Sequence, residues 1–121
     1  SDALAGRNID VRGDGTTLRS YLYTADLAAW LWTILFRGTE VESRLPVFNV
    51  GSKQAITIRD LAHEVVAELN PSLAFKIAQE PATGVPPSQY VPDVDRARKL
   101  LGLEQSIGLR EAIRRTAEWY R

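Results

Sequence analysis

The chain has 121 residues and a mass of 13.5 kDa, with 45% hydrophobic and 25% charged residues, the make-up of one packed domain; two full domains and disordered, collagen-like or coiled-coil chains are excluded. Fifteen Lys and Arg balance fifteen Asp and Glu, so no net field draws in nucleic acid or an anionic membrane. Cysteine is absent, which removes disulfides, thiol catalysis and thiolate metal sites, and His63 is the only histidine available to a triad or a zinc site.

The longest apolar run, Leu27 to Phe36, falls short of the roughly 18 to 20 residues that span a bilayer. The first residues, Ser1 to Gly6, lack the basic start and apolar stretch of a secretory signal, so a cytoplasmic location is expected. Asn8 to Arg12 alternates polar and apolar residues and meets Gly13-Asp14-Gly15, predicting a short strand and a tight turn. Leu18 to Tyr23 alternates again, setting Arg19, Tyr21 and Tyr23 on one face. A helix is predicted over Ala25 to Arg37, capped by Thr24, with Asp26 in its first turn and Gly38 as its stop. It is apolar on both sides, which requires Trp32 and Phe36 to meet something beyond this sequence.

Pro46 to Gly51 reads as a strand buried on both faces. Thr57 and Asp60 form a capping box for a helix with Leu61, Ala62, Val65 and Leu69 inward, ended by Asn70-Pro71. Phe75 to Ile77 is a further strand, and Pro81 to Pro92, with four of the six prolines, is an extended loop. Asp93 caps a short helix with Val94, Ala97, Leu100 and Leu101 inward and Gly102 at its end. A last helix follows Gly108, with Leu109, Ala112, Ile113 and Thr116 inward and Trp119 or Tyr120 closing the stripe. The predicted class is α/β, with short strands and about four helices, too few strands for a self-sufficient doubly wound sheet.

The Gly13-Asp14-Gly15 turn lacks the spacing of phosphate-cradling loops, and no Tyr is followed four residues later by Lys. Arg19, beside Tyr21 and Tyr23, has the chemistry to fork two bonds to a phosphate while a ring packs a base or sugar; the bland alternative is an ion pair with Asp14 or Asp26. Asn49, inside the apolar run, must bond backbone or ligand. Asp93 and Asp95 are explained by helix capping, and His63 lies at the edge of an apolar stripe. Arg96 to Arg121 carries seven basic residues against three glutamates, which reads as a solvated helical face rather than a nucleic-acid surface.

The run Gly13-Asp14-Gly15 through Arg19-Ser20-Tyr21 to Ala25-Asp26-Leu27 resembles the C-terminal half of extended short-chain dehydrogenases, the NAD-dependent sugar-nucleotide epimerases and dehydratases. Four further pieces fall in that family's order: Val47 to Gly51, Ile58 to Ala62, Tyr90 to Gly102, and Leu109 to Tyr120. The resemblance covers nearly the whole chain and implies a single substrate-binding domain over residues 1–121, lacking the Rossmann half that carries NAD(P) and the catalytic Tyr and Lys. The fragment alone is then inactive and holds no cofactor.

By the same resemblance Arg19 grips the diphosphate of a UDP-, dTDP- or CDP-linked sugar, Asn49 bonds the same ligand, and Tyr21 lies beside them. The family usually has a second phosphate-gripping Arg before the segment matching Tyr90; none occurs between Arg59 and Arg96, which leaves Thr83, Ser88 or Gln89 to substitute with neutral bonds. The helix over Leu27 to Phe36 and the run Val47 to Val50 are implied to pack on the missing nucleotide-binding sheet, predicting exposed apolar surface or self-association. The competing reading is an interaction module using Trp30, Trp32 and Phe36.

Overall fold

A computed structural model of the chain describes residues 2–41, 44 and 46–120. Among these residues two small sheets form. A strand at Ile9–Val11 (β1) runs parallel to Phe75–Ile77 (which becomes β4), with Ile9 opposite Phe75 and Val11 opposite Ile77. The strand Leu18–Ser20 (β2) is the middle of the other sheet, antiparallel to Ala55–Thr57 (β3) and parallel to Gln89–Tyr90 (β5). Four helices complete the α/β fold: Thr24–Val41 (α1), Ile58–Leu69 (α2), Asp95–Leu101 (α3) and Leu109–Trp119 (α4).

Local chemistry accounts for most of these elements. The Thr57 hydroxyl accepts the Asp60 N–H at 3.0 Å and donates to the Asp60 carboxylate at 2.7 Å, so the expected capping box starts α2. Gly102 takes the left-handed conformation at φ 67° and its N–H returns to Arg98 O, ending α3 as expected. The core lies between α1 and α3, where buried Trp30, Val94, Ala97, Leu101 and Leu103 are joined by partly buried Leu22, Ile34, Phe48 and Val50. The helices α2 and α4 pack together on the other side.

Several expectations are corrected. Gly38 does not stop α1, which continues to Val41; the glycine keeps a helical φ, is buried, and admits the Phe48 ring to 3.4 Å from where a Cβ would stand. The run Pro46 to Gly51 is not a strand, because no other described segment pairs with it. Phe48 and Val50 instead reach the core as an irregular segment, while Val47 and Asn49 are exposed. The helix α3 begins at Asp95 rather than directly after Asp93, whose carboxylate accepts the Asp95 N–H at 2.9 Å; Leu100 is exposed. On α4, Ala117 is the buried residue; Thr116 and Tyr120 are exposed yet line one groove with Leu109, Ala112 and Ile113, so Tyr120 rather than Trp119 closes the stripe.

The outer face of α1 is bare as expected: Leu31, Trp32, Leu35 and Phe36 are each more than half exposed, and Trp32 stacks on Phe36 at 5.5 Å between ring centroids. Trp30 is different. It is only 2% exposed and its indole N–H donates to Glu104 O at 3.2 Å, so it belongs to the core and not to an interaction surface.

A close backbone approach fixes the segment after Phe48. A Cβ at Gly51 would fall 2.4 Å from Pro92 Cγ, inside any real contact distance. Gly51→Ala is therefore expected to destabilise the fold by about 1–3 kcal/mol, the usual cost of overpacking. Urea unfolding should show a lower midpoint at unchanged slope; an unchanged midpoint would mean that the 49–51 and 92–93 segments part freely.

Candidate functional site

The sheet of β2, β3 and β5 places Arg19. It stands opposite Ile56 of β3 and Tyr90 of β5, so these three share one face, while Leu18, Thr57 and Gln89 share the other. The half-buried Arg19 directs its Nη1 to the Leu18 carbonyl at 2.8 Å. Its bland ion-pair partners are both committed elsewhere. The Asp14 carboxylate accepts the Thr16 N–H and hydroxyl, each at 2.9 Å. Asp26 accepts the backbone N–H groups of Ser106 and Ile107 at 3.1 and 2.9 Å. Among the described residues Arg19 makes no ion pair.

Arg19 lines a concavity of about 490 Å³ with Arg12, the Gly13-Asp14-Gly15 turn, Thr17 and the start of α2. Gly15 is required there: its φ is 74°, and a Cβ would stand 3.1 Å from Arg59 Cβ and 3.2 Å from Ile77 Cδ1. The Thr16 N–H, then the Thr16 hydroxyl, hold the Asp14 carboxyl below the usual carboxylate range, with the Arg59 charge contributing less. Asp14 is thus a turn-forming carboxylate.

The four expected site residues do not converge. Tyr21 and Tyr23 line a separate groove of about 500 Å³, walled largely by apolar residues of α2 and α4, so neither ring flanks the Arg19 concavity. Asn49 is exposed instead of buried in a strand, and its Nδ2 donates to Asp93 O at 2.9 Å, the backbone alternative. Gln89 lies next to Arg19 along the sheet but on the opposite face. Arg12, which sequence reasoning did not single out, follows β1 immediately before the glycine turn and lines the same concavity as Arg19.

The 13–15 glycine turn leads into a strand rather than a helix, and the first-turn N–H groups of α2 are already bonded to Thr17 O, Gly15 O and Thr57 Oγ1, an arrangement unlike a dinucleotide-binding loop. Among the described residues no group of three metal-ligating side chains lies together, and no helix is long and apolar enough to cross a membrane.

No protein-family model matches the chain. Among curated proteins it is 31% identical over 113 residues to UDP-glucuronic acid decarboxylase 5 of Arabidopsis thaliana, covering 93% of this chain and 31% of that protein. It is 29% identical over 118 residues to a trifunctional UDP-glucose 4,6-dehydratase/3,5-epimerase/reductase of the same plant, covering 98% of this chain and 17% of that one. Among solved structures, UDP-glucose 4-epimerase of Thermus thermophilus in complex with NAD superposes at TM-score 0.76 and 21% identity, over 99% of this chain and 37% of that one. The dTDP-glucose 4,6-dehydratase of Bacillus anthracis, also with NAD, gives TM-score 0.73 and 17% identity over 98% and 36%.

The fold is therefore that of a segment of the nucleotide-sugar epimerases and dehydratases. Over nearly its whole length the chain is also similar in sequence to a portion of the curated nucleotide-sugar enzymes, spanning about a third of the length of the decarboxylase it matches.

Proposed function

We propose that the chain is the substrate-binding portion of an NAD-dependent nucleotide-sugar enzyme and holds the diphosphate of its substrate at Arg19. The observation that carries this reading is a half-buried guanidinium with no carboxylate partner among the described residues, facing a concavity beside a glycine turn. Such a group matches a diphosphate, because its planar fork makes two charge-assisted bonds to one phosphate. The curated relatives act, by name, on UDP-sugars, which favours UDP over dTDP or CDP as the nucleotide.

In the parent enzyme the remaining two thirds supplies the dinucleotide and the acid and base, and the whole performs oxidation at the sugar with hydride transfer to NAD(P). The 121 residues contribute binding and orientation and have no turnover alone. The bare face of α1, with Leu31, Trp32, Leu35 and Phe36, is the surface on which that nucleotide-binding part seats. Asn49 and Gln89 are left with lesser roles, since one is satisfied by backbone and the other faces away from Arg19.

The test is titration of the chain with UDP-glucose and UDP-glucuronate, followed by amide and indole NMR. Shifts are expected around Arg19 and the 13–15 turn, and Arg19→Ala should weaken binding at least tenfold with the remaining spectrum intact. Equal binding by the Arg19→Ala chain would remove the reading.

A further inference from the structure

The bonds around Gly6 are those of a helix end. The Arg7 N–H donates to Asp2 O at 2.9 Å and the Gly6 N–H to Ala3 O at 3.2 Å, while Gly6 takes the left-handed conformation at φ 70°. These two nested bonds are the pair that closes an α-helix, with Asp2, Ala3 and Leu4 as its last three residues. Asp2 itself has helical backbone angles, φ −62° and ψ −48°, and its carboxylate takes an ion pair from Arg7 at 2.7 Å across the same turn. A single turn makes too few bonds to offset the cost of ordering it, so such an end is ordinarily built on a longer helix ahead of it.

The groove of about 500 Å³ lies beside this turn, and Asp2, Ala3 and Leu4 form part of its wall. Its other walls come largely from α2 and α4, where Leu61, Val65, Leu69, Ala112 and Ile113 are only partly buried although the two helices pack together. Apolar stripes on two adjacent helices need a third element to finish their burial. Among the described residues Asp2 is the only charged one in the wall, and it is already paired with Arg7, so the groove suits an apolar occupant and not an ion. None of the bare residues of α1 lines it, which separates it from the face assigned above to the nucleotide-binding part.

We propose that the polypeptide leading into Asp2 in the parent enzyme is an α-helix, that Ala3–Ala5 is its last turn, and that its apolar face fills the groove between α2 and α4. The inference rests on the reading above that the chain is one portion of a longer enzyme. Ala3 is the buried residue of the turn, and positions three, four and seven residues before it share its face of a helix. Those three positions are apolar in the parent sequence. Because this segment is covalently continuous with the groove wall, its docking is intramolecular and outcompetes a separate partner.

The experiment compares the 121-residue chain with one extended by roughly fifteen parent residues ahead of Ser1, long enough for a helix to form. A third chain carries the same extension with glutamine at the positions three, four and seven before Ala3. Expected of the native extension are added helical signal in far-UV circular dichroism, shifted methyl signals at Leu61, Val65, Leu69 and Ile113, and a folding equilibrium constant raised at least about tenfold, read as a higher urea midpoint. The glutamine extension should leave the methyls and the midpoint where the unextended chain has them. A native extension that stays unstructured, or moves the midpoint no further than its glutamine counterpart, overturns the inference. So does a dimer that persists in the extended chain and whose formation shifts the same methyls, because it puts a second copy in the groove. UDP-glucose titration of the extended chain separates the two readings: a docked helix without UDP-glucose binding keeps this inference and removes the substrate reading, and binding beside an unstructured extension does the reverse.

Discussion

Replacing Trp30 with alanine is expected to cost the fold about 3–5 kcal/mol, the range for truncating a buried Trp. The indole is 2% exposed and lies among Val94, Ala97, Leu101 and Leu103, where it ties the long first helix to the third. Its N–H also reaches Glu104 O in the segment after α3. The relaxation open to such a site is small, since the residues around it come from two helices and the segments beside them, which would all have to shift together to fill the space. Chemical denaturation followed by far-UV circular dichroism measures the loss. Trp30→Phe, which keeps most of the volume and removes the hydrogen bond, should lose only about 1–2 kcal/mol. A deficit under 1 kcal/mol for the alanine variant would mean that the α1–α3 core is not what holds the chain together.

Asp26→Ala should be the next most damaging change, at about 3 kcal/mol. This carboxylate is buried in the first turn of α1 and its Oδ2 receives two backbone N–H groups, from Ser106 and Ile107. Truncation leaves both donors without their acceptor, each stranded donor costing about 1–3 kcal/mol. It also removes a negative charge from the positive end of a helix, a further few tenths to 1 kcal/mol. Asp26→Asn keeps an oxygen in place and should lose roughly half as much. Amide exchange gives an independent readout: the Ser106 and Ile107 amides should lose protection in Asp26→Ala before the interior of α1 does. Retained protection at these two amides would show that the 103–108 segment is anchored by other contacts.

What the sequence made legible is the chemistry that acts over a few residues. Thr57 and Asp60 bond each other whatever the rest of the chain does, so the start of α2 was readable, as were Gly102 at the end of α3 and Phe75 to Ile77 as a strand. Strands that depend on distant partners were not. Pro46 to Gly51 has the composition of a buried strand but no pairing segment among the described residues. Ala55 to Thr57, with less apolar character, does form a strand because β2 lies next to it. Gln89 and Tyr90 were hidden among prolines for the same reason. Gly38 was misread because a glycine that ends a helix and one that admits a neighbouring ring look identical until the ring, here Phe48, is placed.

The site was legible to the same degree. Arg19 was found from its own strand pattern and its resemblance, and its lack of an ion-pair partner required knowing that Asp14 and Asp26 are bonded to backbone N–H groups elsewhere. The register of β5 on β2 decides which face Gln89 takes, and no local pattern encodes a register between strands so far apart. That Arg12 lines the same concavity as Arg19 is likewise a matter of tertiary placement.

The two sheets share a further property: each contains a parallel pairing between segments about 70 residues apart, Ile9 with Phe75 and Leu18 with Gln89. During synthesis the strand bearing Arg19 emerges about 70 residues ahead of its neighbour on one side. Closing so long a loop comes late and slowly compared with forming a local helix, so local helices are in place before the strand bearing Arg19 is flanked. A chain cut between residues 70 and 88 retains its capped second helix but never completes the sheet that carries the guanidinium. Completion of the β2–β3–β5 sheet thus waits on a segment about 70 residues downstream of Arg19.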